Sequence, residues 1–330
     1  MARPGANNDL TDIEGLRVGA AEDRRAKTGA TVVLCDAPAT AAVDVRGGGA
    51  CTRETDGMNP GGLVETVDAI VLAGGSVYGL DAVDAVTAAL GETGRGFALM
   101  DMPGVPRSPI APAACLYDLA NGGDKRWGAR PPYHRLGEAA LKDAEARRPV
   151  RLGRAGAGHG AAAGALPGAT GSASIVTEDG VTVAALACVN GFGSVKMPGS
   201  DVYWAWPFEI DAEFGGARPG GEANAAPEDW GAAKLNPGAR TNTTLAVVAT
   251  DAALSRDEAR RFAVMAQDGL ARAVRPAHAP FDGDVVFGLA TGRAPAPEPR
   301  AFSLARLGSL GADCLARAIA RGVHAALQEG

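Results

Sequence analysis

Aromatic side chains are scarce in this chain: Phe, Trp and Tyr make up 5% of 330 residues, against 46 glycines. A core with few large rings has to be filled by small residues packed at close range. Cysteine is sparse too. Cys35, Cys51, Cys115, Cys188 and Cys314 are odd in number, scattered, and form no C-x-x-C pair. A disulfide framework is therefore not expected, and the thiols read as reduced and mostly buried. No run approaches the ~18 apolar residues of a membrane span. Residues 1–9 lack the apolar centre of a signal peptide, so the expectation is a cytoplasmic chain with no membrane partner. Basic charge is not in excess: the net charge is −6, which argues against a nucleic-acid partner.

What is present is enough for a large core. Apolar residues make up 46% and charged residues 21%, which fits one big domain or two smaller ones; a single domain over 1–330 is the reading adopted. Strand signals fall at 11–18, 30–36, 41–46 and 69–73, the third closed by Gly47-Gly48-Gly49. A helix is expected over 77–90 and a surface helix over 137–146. Residues 173–177 and 181–189 read as a hairpin about Glu178-Asp179-Gly180. Ser255 with Glu258 forms a capping box for a helix running to about Val274. A strand at 285–289 and a helix over 303–327 complete the chain. From 198 to 240 no periodicity is reliable, and long structureless stretches in a domain are usually functional or mobile. Hairpins and helices are mixed, so the class is α+β or layered α/β.

That irregular stretch ends at Gly238-Ala239-Arg240-Thr241-Asn242-Thr243-Thr244, where a clean apolar run from Leu245 to Ala249 begins. A Thr-Thr pair at a strand start is also what β-propensity gives. Asn242-Thr243-Thr244 fits a glycosylation sequon, discounted because nothing marks secretion. A third reading is chemical. The Thr243 hydroxyl could attack the Asn242 carbonyl carbon, shift the acyl group from N to O, and let water release a new N-terminus. Thr243 would then carry a nucleophilic oxygen and, in its own α-amine titrating near pH ~7.7, a base.

Several separated segments decide among these readings. Residues 29–33, 43–48, 52–56, 70–82, 116–118, 153–158, 171–174, 242–250 and 282–287 together resemble, in order, the self-cleaving DmpA-type family of L-aminopeptidase/D-amidase-esterases. That family includes β-peptidyl aminopeptidases and endo-acting nylon-oligomer (6-aminohexanoate oligomer) hydrolases. The resemblance implies an α+β fold of αββα layers, cut into a large chain (1–242) and a small chain (243–330). It implies a homo-oligomer, often a tetramer of cleaved pairs, with no cofactor and no metal. It implies that Thr243 is the nucleophile and that Tyr117 and Asn190 donate to the oxyanion. Asp282 and Asp284 would hold the new ammonium and move its proton. The substrate would be a small amide or peptide.

One departure stands out. The family commonly carries lysine just after the glycine run; Ala165 occupies that position here. His159 is the nearby substitute considered, and an inactive or uncut family member is the alternative function. Ser76 fails the G-x-S-x-G spacing, because Tyr78 stands where the second glycine belongs; Gly74 and Gly75 read as backbone packed close to the site. A different class of function, nucleotide binding, rests on Gly156-Ala157-Gly158-His159-Gly160-Ala161 with Glu178 or Asp179 downstream. Only Val150-Arg151-Leu152 precedes that run, where a long strand is needed.

Overall fold

The computed structural model describes residues 2–220, 228–234, 242–295 and 297–329. In chain order come β1 (Leu16–Asp23), β2 (Thr28–Val45), β3 (Thr52–Arg53), β4 (Thr66–Ala73), α1 (Asp81–Glu92), β5 (Ala113–Cys115) and α2 (Tyr133–Glu145). The short pair β6 (Ala162–Ala163) and β7 (Leu166–Pro167) precedes the hairpin β8 (Ala169–Val176) and β9 (Thr182–Asn190). Then follow β10 (Thr243–Ala252), α3 (Arg256–Ala273), β11 (Val285–Ala294) and α4 (Arg300–Gln328).

One sheet runs β3-β5-β4-β2-β11-β10-β9-β8, with β1 paired to β2. It forms two layers because β2 belongs to both. Ala30–Leu34 of β2 pair with β1 and β4, whereas Thr40–Val45 pair with β11, and the register shifts between Leu34 and Ala39. The corner falls at Asp36, Ala37 and Pro38, and the last two are exposed. Proline has no N–H to give a ladder, so it suits a bend of this kind. The two strands expected at 30–36 and 41–46 are therefore one strand.

Strand alternation builds the layers. Val33, Ile70 and Leu72 from one half meet Leu186, Leu245, Val247 and Phe287 from the other in a shared inner core. The opposite residues, Val32, Leu34 and Val71, pack under α1 and α2. Ala185, Ala246, Val248 and Val286 pack under α3 and α4. This is the αββα arrangement. It explains why β10 reads as an unbroken apolar run: both of its faces are covered. Trimming Leu245 to alanine would cost about 2–5 kcal/mol.

Small residues let the layers close up. A Cβ on Gly269 of α3 would lie 2.1 Å from the Ala312 carbonyl oxygen of α4, so the two helices touch through backbone. The capping box forms as expected, with Ser255 accepting from the Glu258 N–H and Glu258 reaching back. Other expectations shift. The chain enters through a turn at Leu10–Asp12, capped by Asp9, before β1. The helix at 77–90 is a 3-10 turn, Ser76–Leu80, followed by α1. The expected surface helix is α2, which starts at Tyr133 and buries Leu136, Ala140, Leu141 and Ala144 against the sheet. Within 198–240 the structure shows a 3-10 turn at Trp206–Phe208. The stretch 238–241 that leads into Asn242, like 221–227 and 235–237, lies outside the described residues.

Candidate active site

β10 and β11 run parallel in the register Leu245↔Val285, with α3 as the connection between them. Their starting ends therefore lie side by side, which brings residues 242–243 against 282–284. An isolated parallel bridge joins Asn242 to Asp282. On the other flank β9 is antiparallel, with Asn190 opposite Thr243. Three chain segments far apart in sequence thus converge on one peptide bond.

Thr243 is 3% exposed. Its Oγ1 donates to the carbonyl oxygen of Asn242, and the Gly283 N–H donates to the same oxygen at 3.0 Å. Two donors on one carbonyl polarise it and place a nucleophilic oxygen beside the carbon it would attack. This is the geometry of the uncut chain. Residue 283 must be glycine here: a Cβ would lie 2.6 Å from Thr243 Oγ1 and 2.9 Å from the Gly49 carbonyl oxygen.

The two carboxylates sit behind this bond, each 1% exposed. Asp282 accepts from the Phe192 N–H at 3.2 Å and the Ala279 N–H at 2.8 Å. Asp284 accepts from the Thr244 N–H at 2.7 Å and the His278 N–H at 3.1 Å, and lies 2.8 Å from His278 Nδ1. Burial pushes Asp282 up to about 6, and the Asp284 carboxylate adds to the rise. The two backbone N–H groups and the Lys234 ammonium pull the other way. Both acids thus pin backbone around the bond: Asp284 fixes the start of β10, and Asp282 ties 279 to 192.

The front of the bond opens on a cavity of about 470 Å³ lined by Gly48, Cys51, Ser76, Tyr117, Thr243 and Phe281, among others. That volume suits a small ligand. Tyr117 and Thr243 share it. The Asn190 side chain is not among the lining residues; it donates to the Tyr117 carbonyl at 3.0 Å and accepts from the Ala162 N–H at 2.9 Å. It links the segments around 117 and 162 and so fixes the backbone that carries the Tyr117 phenol. Ser76 does reach the cavity, delivered by Gly74 and Gly75.

His159 does not line this cavity; its Nδ1 is 2.9 Å from the Arg154 carbonyl. Ala165 is exposed and gives its N–H to the Ala232 carbonyl at 2.6 Å. The glycine run forms a 3-10 turn, Gly156–Gly158, with no α-helix before β6. Its N–H groups are spent inside the fold: Gly156 on Glu22, Ala157 on Thr31, Gly158 on Thr170. Asp179 is paired with Arg306. With these amides occupied and no α-helix opening at the run, the geometry does not support the nucleotide reading.

Sequence reasoning passed over four residues. Cys51 lines the cavity, and hydrogen bonding to the Cys115 thiol lowers its pKa. His278 contacts Asp284. Phe192 packs edge-to-face on both Phe281 and Trp230, at 4.8 and 5.9 Å between centroids. Lys234 donates from Nζ to the Asn190 carbonyl at 3.2 Å. Burial lowers its pKa to about 8, and Asp282 partly offsets that.

Residues 8–329 match peptidase family S58, and the chain belongs to that family. An uncharacterized aminopeptidase of Mycobacterium bovis is 43% identical, over 96% of this chain and 93% of the relative. A 6-aminohexanoate-oligomer endohydrolase of Kocuria sp. is 31% identical, over 90% of this chain and 78% of the relative. Among solved structures, a Burkholderia sp. beta-aminopeptidase superposes with a TM-score of 0.69 at 24% identity, over 98% of this chain and 88% of that one. The L-aminopeptidase D-Ala-esterase/amidase of Ochrobactrum anthropi, described as a variant of the Ntn hydrolase fold, gives 0.68 at 20% identity, over 98% and 87%. These structures share the fold, and the family and its relatives make the chain an amide-bond hydrolase. Among the described residues no helix is long and apolar enough to cross a membrane.

Proposed function

We propose that this member of peptidase family S58 cuts its own backbone between Asn242 and Thr243, then uses Thr243 as an N-terminal nucleophile to hydrolyse amides. The observation that carries this reading is the Asn242 carbonyl, held by the Thr243 hydroxyl and the Gly283 N–H at the rear wall of a cavity. Attack by Oγ1 forms the C–O bond and places negative charge on an oxygen already facing the Gly283 N–H. The C–N bond then breaks, the Thr243 nitrogen takes the proton, and water hydrolyses the ester. What remains is a carboxylate at Asn242 and a threonine with a free amine.

The same oxygen then acts on substrate. Its proton passes to the α-amine, an acyl-Thr243 ester forms, and Tyr117 donates to the oxyanion while Asn190 holds the Tyr117 backbone. Water completes the turnover. The described lining side chains carry no formal charge, which supports neutral amide segments at the bond to be cut. The relatives point to short peptides, β-amino-acid amides or polyamide oligomers as the substrate class.

Mass spectrometry of the purified chain beside a Thr243→Ala variant tests the reading. Wild type should give fragments 1–242 and 243–330, and the variant should stay whole. Splitting in both would remove Thr243 from its role. A wild type that stays whole would favour the inert family member, for which Ala165 is the one supporting observation.

A further inference from the structure

The segment 228–234 brings a lysine to the rear of the scissile bond, and three contacts fix where it sits. The Lys234 N–H donates to the Phe192 carbonyl at 2.9 Å. The Phe192 N–H donates to Asp282 at 3.2 Å. A single residue of the strand end therefore tethers Lys234 through its carbonyl and Asp282 through its amide. The Phe192 ring repeats the arrangement, packing edge-to-face on Trp230 from the lysine segment and on Phe281 beside Asp282. Lys234 Nζ reaches the carbonyl of Asn190, the residue opposite Thr243 in the β9–β10 register. Upstream, Ala232 accepts the N–H of Ala165, so the segment is also tied to the β6–β7 turn.

We propose that Lys234 is a positioning residue for self-cleavage: its backbone is tethered through Phe192 to Asp282, and its ammonium holds the Asn190 strand end against Thr243. The inference rests on the self-cleavage reading above. Asp284 raises the proton affinity of Asp282 and Lys234 lowers it; the third titratable group nearby, His278, lies against Asp284. An ionised Asp282 accepts from both Phe192 and Ala279. A protonated one keeps a weaker pair of bonds, and the 279–283 turn that carries the Gly283 N–H loosens. Removing the ammonium moves that event toward neutral pH. The role explains how a positive charge stands beside the acid pair although residue 165 is alanine.

The test is the rate of splitting against pH for wild type, Lys234→Met and Lys234→Arg, followed by intact mass. Wild type should lose rate on acidification through about pH 6. Lys234→Met should lose it about one pH unit higher, splitting about twofold slower at pH 7 and roughly 9-fold slower at pH 5, while Lys234→Arg stays close to wild type. Unchanged rate and midpoint in a folded Lys234→Met, beside a wild type that splits, overturn this inference alone. A wild type that never splits overturns the self-cleavage reading and this inference with it. Equal losses in both variants with an unmoved midpoint reduce Lys234 to a structural residue and also overturn it. Should Lys234→Met fail to fold, pH-dependent labelling of Lys234 by acetic anhydride decides the matter. The labelling midpoint should fall in Asp282→Asn, and an unmoved midpoint refutes the coupling.

Discussion

A methyl group added at residue 283 meets the proposed nucleophile head-on. In Gly283→Ala the new Cβ would start 2.6 Å from Thr243 Oγ1 and 2.9 Å from the Gly49 carbonyl oxygen. A relaxed carbon–oxygen contact needs about 3.3 Å, so the oxygen or the turn has to move by roughly 0.7 Å. The Gly49 side blocks retreat, and the turn is pinned by Asp282 and Asp284 at either end. Most of the displacement therefore falls on the hydroxyl and on the hydrogen bond from the Gly283 N–H to the Asn242 carbonyl. Misplacing a reacting atom by about 1 Å costs on the order of 10²-fold in rate, and loss of one oxyanion donor costs a similar factor. Splitting of Gly283→Ala should be slowed at least ~10²-fold. A time course of intact mass on freshly refolded chain reads the rate directly. Gly57→Ala, where an added methyl meets nothing within 4 Å, serves as the control and should split like wild type. If Gly283→Ala is folded by thermal melt and splits at the wild-type rate, the geometry assigned to the bond is wrong.

Three further outcomes follow from the same site. Tyr117→Phe should lower kcat on an amide substrate by about 10²-fold yet split normally, because the Asn242 oxygen uses the Gly283 N–H; unchanged kcat would release Tyr117 from its role. Asp282 has a folded pKa raised from 3.8 to about 6, so its buried charge costs stability above pH 6 and that cost fades as pH falls toward 4. Between pH 7.5 and 5, wild type should therefore gain about 1 kcal/mol relative to Asp282→Asn, read from denaturant midpoints; a pH-independent difference would contradict the burial argument. N-ethylmaleimide should label Cys51 fastest and block hydrolysis, with Cys51→Ser resistant. Burial pushes Cys35 and Cys314 up to about 12 and Cys188 to about 11, so those thiols should react slowly.

Much of the fold is readable where pattern and burial agree. The β8–β9 hairpin, the apolar β10 run and the Ser255–Glu258 box each rest on local signals that tertiary packing left alone. β2 does not, because its apolar run is interrupted at Asp36–Pro38 where the strand crosses from one layer to the other. A break in hydrophobicity and a bend in a continuous strand look the same in sequence. Thr243 stood out because a loop meets a strand there. Its proximity to 282–284 came only from the resemblance and not from the residue pattern, since a parallel pair brings residues 40 positions apart together only once α3 has folded back. Lys234 had no signal at all: a single lysine in a Gly-Ala-Ala-Lys stretch acquires meaning only through the Phe192 backbone it bonds.

The placement of β10 and β11 has a consequence for the molecule should it be cut as proposed. Both strands of the 243–330 piece lie between β9 and β2, which belong to the other piece, and α3 and α4 roof the same layer. The halves are interleaved like the fingers of clasped hands. Breaking the peptide frees one terminus at the reaction centre without freeing a partner to diffuse away, so the pair should travel as one particle through any native purification. Prising it apart would mean tearing the middle of the sheet, and separately made pieces would have to fold around each other from the start.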